Sequence, residues 1–254
     1  YRIVKKIRSK GSGIFYNTHC LDDVFLIGDR VTVIKNGSIV GTRVVAECPQ
    51  EEIIKMLSGR YIMSRYPKIV IKKGKNILSV RNLGFSDKLK NINLDLCEGD
   101  ILGITGLAGS GRTLLANCLF GAVDGVVGDI YLNGVKMKLD SPYKAISNGI
   151  ALIPENRLTD SLFGYMDISN NVAVSSLKRF ANYSFINTSY MEQVVADYVE
   201  KLNIPQHLHN NIMEYTGGNQ QKAVFAKWIM SRAKIFILDD PTRGLDIASK
   251  IDIY

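Results

Sequence analysis

Apolar residues fall in short runs, separated by glycine-rich and polar turns, and the runs differ in the element they favour. Ile101-Leu102-Gly103-Ile104-Thr105, opened by Asp100, predicts a strand, and Leu114-Leu115-Ala116-Asn117-Cys118-Leu119-Phe120 predicts a helix. Phe236-Ile237-Leu238 predicts a strand that ends on Asp239, and residues 78–83 predict one that leads to Phe85. Nearer the start, Gly13-Ile14-Phe15-Tyr16-Asn17-Thr18 predicts a buried strand running into His19. Residues 29–40 predict two strands around the Asn36-Gly37 turn, followed by a helix at about Gln50–Leu57.

Between the first strand and its helix lies Gly106-Leu107-Ala108-Gly109-Ser110-Gly111-Arg112-Thr113. It matches the phosphate-loop pattern G-x-x-x-x-G-K-[ST] except that Arg112 stands where lysine is expected. Strand, glycine loop and helix in this order direct backbone N–H groups and the helix dipole at the β- and γ-phosphates of a nucleotide, and the Thr113 hydroxyl at Mg²⁺. A glycine-rich turn without ligand is the alternative for the loop taken alone.

A second block supports the nucleotide reading. Tyr215-Thr216-Gly217-Gly218-Asn219-Gln220-Gln221-Lys222 opens a helix with a hydroxyl and free backbone amides, a second place for phosphate. Asp239 at the end of its strand supplies a carboxylate for Mg²⁺, and Asp240-Pro241-Thr242-Arg243-Gly244-Leu245-Asp246 follows. With these motifs in order, the chain resembles the ATP-binding subunits of ABC transporters. Thr216, Gly217, Gly218, Asn219 and Gln220 occupy the signature position, and Gly244-Leu245-Asp246 the D-loop.

Within that family, several segments are similar to the tandem-domain ATPases of bacterial monosaccharide importers of the ribose, galactose, xylose and arabinose type. They are Gly217-Gly218-Asn219-Gln220-Gln221-Lys222, Ala226-Lys227-Trp228-Ile229, Ile153-Pro154-Glu155-Asn156-Arg157 and Ser176-Leu177-Lys178-Arg179-Phe180. The resemblance implies an α/β P-loop NTPase fold of ABC type: a mostly parallel core sheet, an antiparallel β portion and a helical portion at about residues 156–233. It implies ATP and Mg²⁺ as cofactors and hydrolysis coupled to import of a monosaccharide. The implied partners are transmembrane permease subunits, an extracytoplasmic sugar-binding protein, and a first ATPase domain or second copy. It also implies a peripheral location on the cytoplasmic face of the plasma membrane and no nucleic-acid partner.

In that group the second ATPase domain carries arginine in the lysine position, so the resemblance assigns residues 77–254 to a second domain. Residues 1–58 then resemble the C-terminal tail of a first domain, with His19 as the switch histidine, and residues 59–76 form a linker. On this reading the second domain's own switch histidine lies beyond Tyr254, and residues 1–58 serve as its tail in a circular permutation, or are exchanged between copies.

The resemblance also implies roles for single residues. Glu155 sits in the Q-loop position, to contact the magnesium shell or sense the membrane partner, with a surface glutamate as the alternative. Asp240 stands where glutamate usually orients the attacking water; one methylene shorter, it acts as a weaker base or as an outer-sphere magnesium ligand. Phe85 is either an adenine platform or ordinary core. Arginine, a planar fork rather than a flexible point charge, permits binding with altered geometry, so slow turnover is expected of this chain alone. A regulatory module that binds ATP without turnover is the main rival.

Composition adds boundaries. The 254 residues, 46% hydrophobic, suffice for a sizeable core. The net charge of +8 keeps open a soluble ABC protein acting on ribosomes or DNA, but residues 59–76 are too short for the basic helix or coiled coil such a protein needs. The Lys-rich stretch at 68–75 reads as solvated linker. No apolar run approaches the roughly 20 residues that span a bilayer. Cys20, Cys48, Cys97 and Cys118 lack metal-ligand spacing, His207 and His209 read as solvent-exposed, and Trp228 as packing.

Overall fold

The computed structural model describes residues 1–18, 20–35, 37–59, 71–183 and 185–254. His19 and most of the expected linker therefore lie outside the described residues, as does Asn36 of the expected turn. In chain order the elements are α1 (Arg2–Arg8), α2 (Leu21–Ile27), β1 (Arg30–Lys35), β2 (Ser38–Val44) and α3 (Gln50–Ser58). Then come β3 (Asn76–Phe85), β4 (Leu89–Cys97), α4 (Arg112–Phe120), β5 (Val127–Leu132), β6 (Val135–Met137), α5 (Pro142–Ser147) and β7 (Ile150–Ile153). The helical stretch holds α6 (Arg157–Asp160), α7 (Ile168–Ala173), α8 (Leu177–Phe180), the short pair β8 (Ala181–Asn182) and β9 (Phe185–Ile186), α9 (Thr188–Lys201) and α10 (Gly217–Met230). The chain continues through β10 (Ile235–Leu238) and α11 (Ile247–Ile253).

Contacts divide the chain into two compact units, Ile69–Arg243 and Tyr1–Lys68 with Gly244–Tyr254. In the larger unit β3 is central to an antiparallel sheet of order β4-β3-β5-β6. Its Leu78, Val80 and Leu83 turn inward, the alternation expected of a sheet with one covered face. A separate parallel pair joins β7 and β10 in register from Ile150↔Ile235 to Ile153↔Leu238. All four residues of β7 are buried, as a strand covered on both faces requires. The helix α4 packs on β7 through a face that includes Leu115, Ala116 and Leu119.

The helical stretch begins its helices on side-chain caps: Asp167 accepts from the Asn170 amide, Asn187 from Tyr190, and Thr216 from Asn219. Nearly every face of α10 is buried, which fixes it as the axis around which α7 and α9 pack. In the smaller unit Leu21, Val33, Cys48, Ile53 and Ile54 enclose a second core with Ile247 of α11.

Two sequence expectations are corrected. Asp100–Thr105 forms no strand among the described residues, and Ile101 is 95% exposed. Gly103 interrupts its apolar run, and a glycine within so short a run weakens it as a strand. Gly13–Thr18 is also irregular, with Phe15 96% exposed. There Asp23 accepts hydrogen bonds from the hydroxyls of Tyr1, Tyr16 and Thr18, so local polar contacts rather than a ladder hold the segment. The parallel sheet described is thus two strands, smaller than the core sheet expected.

Candidate nucleotide site

The phosphate-binding loop feeds α4 through a glycine whose conformation no other residue adopts easily. Gly111 is the N-cap, at φ +94°, and a Cβ there would lie 2.9 Å from Leu89 Cδ2. Gly109 has φ +80°, and the Ser110 amide closes a turn on the Leu107 carbonyl at 3.1 Å. Helical bonding starts with the Leu115 amide donating to the Gly111 carbonyl at 2.8 Å. The amides of Gly111, Arg112, Thr113 and Leu114 have no acceptor among the described residues. Orphan donors at a helix start are an anion site when exposed, and Gly106–Ser110, Arg112 and Thr113 are all exposed. Neither the Arg112 guanidinium nor the Thr113 hydroxyl has a hydrogen-bond or ion-pair partner among the described residues.

The contact between Gly111 and Leu89 brings the loop to the tip of the β3–β4 hairpin. Phe85 stands opposite Leu89 in that hairpin, half-buried and packed against the main core. Partial burial against the core is compatible with either role expected of Phe85.

The carboxylates gather elsewhere on the same unit, at the carboxyl edge of the parallel pair. Asp239 follows β10, and its amide donates to the Ile153 carbonyl at 2.9 Å, extending the ladder. Glu155 stands two residues past β7, so both occupy the edge where α/β sheets bind ligands. Asp240 is exposed at φ +43°, a left-handed conformation in which aspartate is enriched over most residues. Its carbonyl accepts from the Arg243 amide at 3.0 Å, closing the turn.

Two motif residues to which the sequence assigns no role, Arg243 and Arg157, also make specific contacts. Arg243 forms an ion pair with Glu155, which ties the Q-loop position to the turn after Asp240. Arg157 donates from Nε to Gln220 Oε1 at 3.2 Å, and Gln220 Nε2 donates to the Ile212 carbonyl at 3.3 Å. Burial lowers the proton affinity of Arg157. Gln220 is itself buried, so within the signature it fixes α10 rather than projecting outward. Thr216 caps that helix beside Gly217, Gly218 and Asn219, of which Gly218 is buried. Asp246 caps α11: burial would raise its proton affinity, but hydrogen bonds from the Ser249 side chain and amide outweigh this and hold it below the usual range. Among the described residues no acidic, histidine or cysteine cluster forms a ready-made metal cage.

A glycine loop with unclaimed amides at a helix start, on the same unit as carboxylates at the carboxyl ends of a parallel strand pair, defines an α/β nucleotide-binding domain of the P-loop class. The ABC transporter family model matches residues 89–243, more than half of the chain, and the chain belongs to that family. It is 40% identical over its whole length to the ribose import ATP-binding protein RbsA of Clostridium tetani, covering 51% of that protein. It is 34% identical to the galactose/methyl galactoside import ATP-binding protein MglA of Fusobacterium nucleatum, covering 52% of it. The chain thus spans about half the length of these curated relatives. Among solved structures, the ADP conformation of the ATP-binding cassette MJ1267 aligns at TM-score 0.59 and 17% identity, over 70% of this chain and 74% of that one. The ADP- and Pi-bound cassette MJ0796 aligns at 0.56 and 21%, over 69% and 79%; both show the fold alone.

Proposed function

We propose that the chain is the ATP-binding part of a monosaccharide importer, taking MgATP as cofactor and working with membrane permease subunits and an extracytoplasmic sugar-binding protein. The carrying observation is the start of α4, where four amides without acceptors among the described residues adjoin exposed Arg112 and Thr113 at the hairpin tip. When bound, MgATP supplies the phosphoryl group whose transfer to water releases the free energy used in transport. The amides of Gly106–Thr113 would hold the β- and γ-phosphates, with the Arg112 guanidinium neutralising charge. Thr113 and Asp239 would hold the magnesium ion, Asp240 would orient water, and Phe85 would flank the base. Glu155, locked by Arg243, would relay the state of that edge to the partner, and His19 would contact the γ-phosphate. Thr216, Gly217, Gly218 and Asn219 would cap ATP held by another ATPase domain, with Gln220 anchoring the helix that carries them. The sugar is suggested by the names of the ribose and galactose relatives. A peripheral location on the cytoplasmic face follows from the same reading; among the described residues no helix is long and apolar enough to cross a membrane.

We also infer that residues 1–58 are the tail of a first ATPase domain, 59–76 a linker and 77–254 a second domain. Support comes from the smaller core, in which Ile247 of α11, just past the D-loop, packs with Leu21, Val33 and Ile53. A tail segment serving the second domain would make this contact.

Arg112 and the left-handed Asp240 favour slow turnover. Calorimetry with MgATP and phosphate-release assays on the wild type, Arg112→Lys and Asp240→Glu test the reading together. The wild type is expected to bind MgATP and to turn over well below the enzyme median of about 10 s⁻¹. Both substitutions are expected to raise turnover. Absent binding would sink the ATP reading, and unchanged hydrolysis in both variants would sink the account of slow turnover.

A further inference from the structure

The tip of the β3–β4 hairpin carries Asp87, Lys88 and Lys90 to the start of α4. A Cβ added at Gly111 would lie 2.9 Å from Leu89 Cδ2 and 3.8 Å from the Lys88 carbonyl oxygen, so the Lys88 backbone borders the N-cap of that helix. The turn is held there by its own bonding and packing. The Lys88 amide donates to the Phe85 carbonyl at 3.2 Å and the neighbouring Leu89 is buried, while the Lys88 side chain is exposed. The one carboxylate within residues 86–90, that of Asp87, pairs with Lys90 at 3.7 Å. Lys88 itself has no hydrogen-bond, ion-pair or ring partner among the described residues. A cation without a counter-charge thus stands beside the four amides, Gly111 to Leu114, that lack acceptors among those residues.

Reach and chemistry give that cation a use. A lysine ammonium extends about 6 Å from its Cα on a four-carbon stem, and an anion held by backbone amides sits about 3 Å from their nitrogens. Together these lengths span the gap from the Lys88 backbone to a phosphate on the start of α4. The loop's own charge is of another kind. Arg112 presents a planar fork suited to bidentate contact, whereas the motif position it fills calls for a compact point charge with rotatable donors. A lysine on the adjoining turn supplies that charge from outside the loop. We propose that Lys88 is a phosphate-binding residue of the nucleotide site, its ammonium taking on the β- and γ-phosphates the place that lysine would take at position 112. This rests on the nucleotide reading above and adds a residue to it. Folding offers no competing reason for the charge, because the side chain is exposed and unpaired among the described residues.

The test is calorimetric titration of the full chain with MgATP at one ionic strength. Lys88→Gln and Lys88→Met should each weaken binding by about tenfold or more, the loss expected of a hydrogen bond to a charged group. Lys90→Met removes the same charge from the same tip and should change affinity by less than about twofold, which separates direct contact from the general field of the hairpin. On an Arg112→Lys background, where the loop holds the point charge itself, Lys88→Gln should cost less than about threefold. Melting without nucleotide should be the same for wild type, Lys88→Gln and Lys88→Met, so that a loss of affinity is not a loss of fold. Equal MgATP affinity in wild type and both Lys88 variants overturns the proposal. So does a loss in Lys90→Met as large as in Lys88→Met, or an undiminished loss on the Arg112→Lys background. In each of these cases the wild type still binds MgATP and the nucleotide reading stands. A wild type that binds no MgATP overturns that reading, and the proposal with it.

Discussion

Removing the Lys227 ammonium by Lys227→Met gives a stability change whose sign reverses with pH. Burial holds this amine at about 8 against the ordinary 10.5. At about 1.4 kcal/mol for each tenfold change in proton affinity, the displacement corresponds to about 3 kcal/mol of desolvation cost carried by the folded state near neutrality. Between pH 8 and 10.5 the unfolded chain binds this proton more tightly than the folded one, so stability rises with pH through that window. The methionine variant has no such rise. It does leave the Ser161 carbonyl without its donor, a loss of about 1–3 kcal/mol at either pH. The variant should therefore be the more stable protein at pH 7, by about 1 kcal/mol, and the less stable at pH 10.5. Trp228, the single tryptophan, adjoins the site and reports unfolding directly. Urea titrations at the two pH values, with a slope of about 2–3 kcal/mol per molar, should show the midpoint difference between the proteins moving by about 1–1.5 M. Titrations of other groups are common to both proteins and cancel in the comparison. A difference that moves by less than about 1 kcal/mol would refute the claim that the ammonium is desolvated.

Two further outcomes follow from the geometry. Gly111→Ala forces a side chain into φ +94° against Leu89, which should cost about 1–2 kcal/mol and weaken MgATP binding measured by calorimetry; unchanged affinity would mean that the loop amides do not cradle phosphate. Ile53→Ala should cost about 2–5 kcal/mol within the smaller core and speed hydrogen exchange in α11 but not in β3–β6, and unchanged α11 protection would count against residues 1–58 acting as a tail for that helix.

What the sequence disclosed depended on how local the determining physics was. The helix after the glycine loop, the helix opened at Thr216 and the strands flanking position 36 are set by residues within a few positions of each other, and each formed where expected. The segments at 13–18 and 100–105 require distant ladder partners, and an apolar run does not specify that a partner is available. The Glu155–Arg243 and Arg157–Gln220 pairs join residues 88 and 63 positions apart, so the motifs containing them showed the residues without showing the pairing.

Lys227 was the least legible feature, for a reason that bears on its role. Helical spacing marks a buried lysine only when the helix has one apolar face, and α10 is buried nearly all round. Position 227 therefore shows no anomaly in the pattern, although its burial weakens the fold near neutral pH. Methionine would fill much the same volume without that cost, so folding alone does not favour lysine here. A local choice that opposes stability, beside an indole N–H with no partner among the described residues, is the usual mark of a functional position.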